Sequence, residues 1–84
     1  MRTILIDGSL YTTSRELHVA LKKMLSLPDY YGLNADALND CLGEKNELVN
    51  LWIFDPGSDD VSSAVSLVSA VIRDNGGTVK ELYR

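Results

Sequence analysis

The chain has 84 residues and a formal net charge of −4, enough for one domain, 1–84, with a modest core. An acidic balance with a pI near 4.7 argues against a nucleic-acid binder, which would carry a basic patch. A composition of 45% hydrophobic and 24% charged residues with two prolines excludes disorder and low complexity.

Thr3 to Ile6 is a short run rich in β-branched residues, closed by Asp7-Gly8, and reads as a strand. Thr13 followed by Glu16 has the spacing of a capping box. Leu17, Ala20, Leu21, Met24 and Leu25 then recur at helical steps. Pro28 biases Leu27 away from helical dihedrals and ends that element. Asn34 can cap a second, shorter helix with Ala35, Leu38, Cys41 and Leu42 inside and Asp36, Asn39 and Asp40 outside. Leu48 to Phe54 is nearly continuous in apolar residues and suits a buried strand, ended by Asp55-Pro56-Gly57. Ser58, Asp59 or Asp60 can cap a third helix through Ile72, stopped by Asn75-Gly76-Gly77. Thr78 to Tyr83 reads as a last, more polar edge strand. The order β-α-α-β-α-β predicts an α/β fold, a small three-stranded parallel sheet packed with helices.

Cys41 is the sole cysteine, so no intrachain disulfide forms and no CxxC metal or redox motif exists. The N-terminus reaches Asp7 too soon for a signal-peptide core. No apolar run approaches the roughly 18 residues of a membrane span. These features lead to the expectation of a soluble, cytoplasmic protein that engages neither membrane nor nucleic acid. Oligomeric state stays open, with the edge strand at 78–83 as one place for self-association.

The acidity is local. From Met24 to Glu44 the charged residues are Asp29, Asp36, Asp40 and Glu44, with no Lys or Arg among them, while the rest of the chain balances. Asp36 and Asp40 are four residues apart and repel each other on one helical face. Asp40 also lies toward the end of the helix where the dipole disfavours an anion. A sequence shaped only for stability would place lysine there. Tyr30 and Tyr31 sit just ahead. Neighbours in an extended segment point opposite ways, so one ring belongs inside and the other is available to a partner.

Residues 27–42, LPDYYGLNADALNDCL, resemble the signature segment of the barstar family, intracellular inhibitors of the secreted bacterial ribonuclease barnase. The match runs ungapped through Leu27, Pro28, Asp29, Tyr30, Tyr31, Gly32, Asn34, Asp36, Ala37, Leu38, Asp40, Cys41 and Leu42. It extends more loosely back through Leu17-His18, Leu21-Lys22-Lys23 and Asp7-Gly8. The resemblance implies a small parallel sheet with helices and a partner face of Tyr30, Gly32, Asn34, Asp36, Asn39, Asp40 and Gly43. Asp40 would be the central acid, entering the ribonuclease site where a substrate phosphate belongs. Asp36 would be a second acidic contact, Tyr30 an aromatic cover, and Gly32 and Asn34 contacts on the loop.

The chain departs from the family at the rim. Asn39 stands where the family has tryptophan, and Gly43-Glu44-Lys45 where it has Thr-Gly-Trp. Val71 or Ile72 falls where a further acid is expected, with Asp74 off register. The stretch between the second and third strands is shorter, which removes one helix.

Two other constellations have chemistry to consider. Asp7 and Asp55 each end a predicted strand at the sheet edge where α/β ligands bind, and two acids could hold Mg²⁺. Asp-Gly and Asp-Pro-Gly are, however, turn formers, and no P-loop, GxGxxG or nucleophile motif accompanies them. His18, the only histidine, has no recognisable catalytic partner and reads as a boundary residue of the first helix. The expectation is therefore a non-enzymatic inhibitor of a basic ribonuclease, without cofactor. The alternatives are a binding module of the same fold with another partner, and a small metal-dependent enzyme built on Asp7 and Asp55.

Overall fold

The computed structural model describes residues 1–83. Strand β1 (Arg2–Asp7) passes through a single 3₁₀ turn (Gly8–Leu10) into helix α1 (Ser14–Met24). Helix α2 (Ala35–Lys45), strand β2 (Val49–Asp55), helix α3 (Asp59–Asp74) and strand β3 (Thr78–Glu81) follow. This is the expected β-α-α-β-α-β order, with the last strand ending at Glu81 rather than Tyr83. Among the described residues no helix is long and apolar enough to cross a membrane.

The helix starts are set by local hydrogen bonds. Thr13 and Glu16 form the expected box: Glu16 N–H donates to Thr13 Oγ1 and Thr13 N–H to Glu16 Oε1, both at 3.2 Å. Asn34 Oδ1 accepts from Ala37 N–H at 2.8 Å and caps α2. Ser58 occupies the cap position of α3 without a side-chain bond. Instead, Asp60 reaches across and accepts from Ser14 N–H at 2.7 Å, so the first turn of α3 caps the start of α1.

Helix α1 stops before Pro28 acts. Leu25 is its C-cap, and Ser26 turns left-handed with φ 52°. Leu27 N–H then bonds back to Lys22 O at 2.9 Å, the paired closure usually built on glycine. Serine in that conformation costs roughly 1 kcal/mol that glycine does not. Ser26→Gly is expected to stabilise the protein by about 0.5–1 kcal/mol after the extra freedom of the unfolded chain is counted, raising Tm by about 3–6 °C in a thermal melt. A lower Tm would mean the serine side chain holds something that backbone strain conceals.

The sheet runs β1-β2-β3 with both pairs parallel. Both crossovers therefore step in the same direction, and right-handed connections place every helix on the same face. Burial follows. Ile4, Ile6, Val49, Leu51 and Ile53 are buried beneath the helices with Leu17, Leu21, Leu38, Val68 and Ile72. Leu5, Trp52 and Phe54, alternating with them, remain exposed. Here the sequence misleads: an apolar run reads as a strand buried on both faces, whereas β2 is buried on one.

At the strand ends, Gly8 lies against the turn after β2. A Cβ there would come 2.4 Å from Gly57 N and 2.6 Å from the carbonyl carbon of Pro56. That contact follows a register shift between Ile6 and Asp7, which brings Asp7 beside Asp55.

Candidate functional site

The candidate site is the loop between α1 and α2 together with the outer face of α2. Two lysines secure the loop. Lys45 Nζ, at the end of α2, donates to Leu25 O at 2.8 Å and Ser26 O at 3.3 Å. Lys22 pairs with Asp29 at 3.4 Å, so one of the four acids does receive a base from the preceding helix.

The two tyrosines divide as their alternation predicts. Tyr31 is buried, and its hydroxyl shares a 2.5 Å hydrogen bond with His18 Nδ1 and donates more weakly to Asn34 O at 3.4 Å. Burial pushes its phenol well above the ordinary range, with the nearby Cys41 thiol adding to the effect. Tyr30 is 75% exposed. It lines two concavities against α2. One, about 270 Å³, is lined by Ser26, Pro28, Tyr30, Cys41, Glu44 and Lys45. The other, about 230 Å³, carries Tyr31, Gly32, Ala37 and Asp40.

His18 is not the boundary residue that its helical phase suggests. It is 3% exposed and stands under the loop as the partner of Tyr31. A buried tyrosine hydroxyl needs such a partner, and that need is the one sequence signal pointing to it. Burial holds the imidazole below its ordinary value of 6.5. The unfolded chain therefore binds a proton that the folded chain resists. This contribution to stability is complete above pH 6.5 and declines as pH falls toward the depressed folded value. Chemical denaturation between pH 7.5 and 5 should show stability falling by up to about 1.4 kcal/mol per pH unit, and His18→Gln should flatten the slope. An equal slope in the variant would place the titration elsewhere.

Gly32 packs on Ala37, with an added Cβ 3.3 Å from the alanine methyl. Leu33 follows in the left-handed region at φ 57°, a conformation that stores strain and clusters at binding loops. Asn34 then caps the helix. On α2, Asp36, Asn39, Asp40 and Gly43 are exposed, while Leu38, Cys41 and Leu42 are buried. The ion pairs among the described residues are Arg2–Glu47 and Lys22–Asp29. Neither Asp36 nor Asp40 has a cationic partner there. Lys45, five positions beyond Asp40, turns toward the carbonyls of the α1 end instead.

Asn39 behaves differently from its neighbours. Its Oδ1 accepts from Asn75 Nδ2 at 2.8 Å, and the same amide donates to Val71 O. The side chain thus ties α2 to the end of α3. A methyl group added at Gly43 would meet nothing within 4 Å, so packing does not demand glycine, although alanine would favour the helix by about 1 kcal/mol. Cys41 is buried, and burial, then Glu44 and Asp40, raise its thiol above the ordinary value against a smaller opposing effect of Lys45. It is held as a neutral thiol rather than a reactive thiolate.

Asp7 and Asp55 are register partners at the sheet edge, yet each is engaged by its own turn. Asp7 Oδ1 accepts from Ser9 N–H at 3.1 Å and Ser9 Oγ at 2.6 Å. Asp55 Oδ1 accepts from Gly57 N–H at 2.7 Å. No group of three or more His, Cys, Asp or Glu side chains is arranged to hold a metal ion among the described residues.

Comparison with known proteins takes in this region within a longer match. The sequence profile of a family described as Barstar (barnase inhibitor) matches residues 1–67. A Bacillus subtilis (strain 168) protein named "Putative ribonuclease inhibitor YrdF" is 55% identical over 42 residues, half of this chain. The matched stretch spans 46% of that relative's length.

Proposed function

The chain belongs to the barstar family, and from that premise we propose that it is a stoichiometric, non-catalytic protein inhibitor of a basic, barnase-type ribonuclease, acting in the cytoplasm as a single domain. The observation that carries this reading is Asp40: an exposed carboxylate without an ion-pair partner among the described residues, beside an aromatic ring that is 75% exposed. An active site that binds RNA is cationic because it must neutralise phosphates. A carboxylate fixed on a helix can enter it as a phosphate mimic and form charge-assisted hydrogen bonds with arginine and histidine. Asp36 adds a second negative charge one turn away, and opposed fields speed the encounter.

In this scheme Tyr30 covers the blocked cleft. Gly32 and Asn34 present the loop backbone, and Gly43 lets the enzyme approach the helix closely. Asn39 sits within the face and positions it through Asn75. Titrating the protein into a barnase-type ribonuclease should abolish RNA cleavage at one equivalent. The association rate should fall as salt rises, since screening shortens the reach of the opposed charges. Full cleavage at micromolar protein, across several basic ribonucleases, would refute the proposal.

A second reading has one specific observation behind it. Asn39 stands in place of a tryptophan and Gly43-Glu44-Lys45 in place of Thr-Gly-Trp in the family resemblance, and Lys45 is committed to the α1 end. A module of the same fold with a non-ribonuclease partner would use the same Asp40 face. A pull-down from native extract, with Asp40→Ala as control, separates the two. The satisfied turns around Asp7 and Asp55 give no support to a metal-dependent enzyme.

A further inference from the structure

Among the described residues nothing covers the face of the sheet away from the helices, although parallel sheets are normally covered on both sides. Leu5, Trp52, Phe54 and Leu82 lie on it, each between 37% and 48% exposed. Leu82 continues the register past β3, its N–H donating to Ile53 O at 2.8 Å. We infer that this face is a self-association surface, on which a second copy of the chain packs sheet to sheet about a two-fold axis.

Three observations select a second copy as the occupant. The first is area. With aromatic side chains carrying about 150–250 Å² each, the four apolar residues leave roughly 350 Å² uncovered. Adding the neighbouring polar row and doubling for two copies gives about 1,000 Å², the lower bound for a specific interface.

The second is the pattern. Thr3, Asn50 and Thr78 form one cross-strand row. They partly satisfy each other: Asn50 Nδ2 donates to Thr3 Oγ1 at 3.4 Å, and Thr78 Oγ1 donates to Asn50 Oδ1 at 2.6 Å. The donors left over, the second Asn50 N–H and the Thr3 hydroxyl, need polar partners when the row is covered, and another copy of the same row supplies them. Leu5, Trp52 and Lys80 form the next row. A two-fold axis parallel to the strands keeps each row over its own copy, polar on polar and apolar on apolar. It also sets β1 of one copy over β3 of the other, with the reciprocal contact made by the same pair of strands. An axis across the strands would put the Asn50 row on Phe54 and Leu82.

The third is charge. Lys80 is the charged side chain in these rows, with its Nζ 5.8 Å from the centre of the Trp52 ring. The parallel axis places each Lys80 over Leu5 of the other copy, at opposite edges, so like charges do not meet. Among the described residues the face has so little charge that it offers nothing to select an oppositely charged partner, and the overall charge of −4 disfavours an anionic lipid surface. The acidic face of α2 lies in the helix layer on the other side and stays free in such a dimer.

The experiment is sedimentation equilibrium on the full chain from about 5 to 500 µM, the range a contact near the lower size limit can be expected to span. Mass should climb from 9.3 kDa toward twice that value. Trp52, the only tryptophan, should shift its emission to the blue over the same range as water leaves it. Leu5→Lys and Phe54→Lys, on different strands, should each return a monomer with the dilute emission, circular dichroism verifying the fold. If neither variant folds, a mass increase without any Trp52 shift in the unmodified chain rejects the face, and a coincident shift supports it. A monomer at 500 µM, or a dimer that persists in both variants through edge pairing along β3, overturns the inference.

Discussion

Asp40→Ala is expected to weaken binding to a barnase-type ribonuclease by about 3–5 kcal/mol, roughly a hundred- to several-thousand-fold in Kd. In the proposed complex the carboxylate is enclosed with arginine and histidine. Truncating it forfeits the pairing and leaves those cations buried without an anion. The fold should not notice. Asp40 is exposed and has no cationic partner among the described residues, and its removal relieves repulsion from Asp36, a few tenths of a kcal/mol at this spacing. Inhibition constants measured beside a urea melt would show a large loss in the first and a change within about 0.5 kcal/mol in the second. A substantial drop in stability would mean that the carboxylate supports its own fold.

Leu38→Ala should do the reverse from the opposite face of the same helix. Leu38 is fully buried, so the change removes buried methyl groups and leaves a cavity. The expected cost is about 3–4 kcal/mol, a Tm lower by about 15–20 °C. For a domain whose total stability is on the order of 5–10 kcal/mol that is a large fraction. Molecules that remain folded still present Asp40, so at low temperature inhibition should be lost only in proportion to the unfolded population. Together the two variants separate what holds α2 in place from what α2 offers to a partner. Loss of binding in fully folded Leu38→Ala would show that small shifts of the helix are enough to break recognition.

The parts of this fold legible in the sequence are those governed by neighbours along the chain. Thr13 with Glu16, Asn34 ahead of α2 and Asn75-Gly76-Gly77 after α3 each act within one helical turn, and each does what its spacing implies. The alternation that sends Tyr31 inward and leaves Tyr30 outside is equally local. Ser26 gives no such signal, because the left-handed closure of α1 normally announces itself as glycine. The bare sheet face is hidden for another reason: Leu5, Trp52 and Phe54 are apolar, so their alternation with buried neighbours carries no polarity signal.

The site divides along the same line. Asp36 and Asp40 stand out because unpaired like charges on one helical face are an oddity visible in one dimension. What tertiary structure supplies is the support around them. His18 lies thirteen positions from Tyr31, Lys45 reaches back twenty to Leu25, and Asn75 lies thirty-six from Asn39. No periodicity spans such gaps. Lys22, likewise, meets Asp29 only because the Ser26 turn folds the loop back on α1.

The most direct measurement is a backbone amide spectrum of the labelled protein, recorded with and without one equivalent of a catalytically disabled barnase-type ribonuclease. Shifts concentrated at Tyr30, Gly32, Asn34, Asp36, Asp40 and Gly43, with Leu5, Trp52 and Phe54 unmoved, are the predicted result. Perturbation centred on the bare sheet, or none at saturating enzyme, would contradict the claim that an unpaired carboxylate on α2 is what this protein presents to its partner.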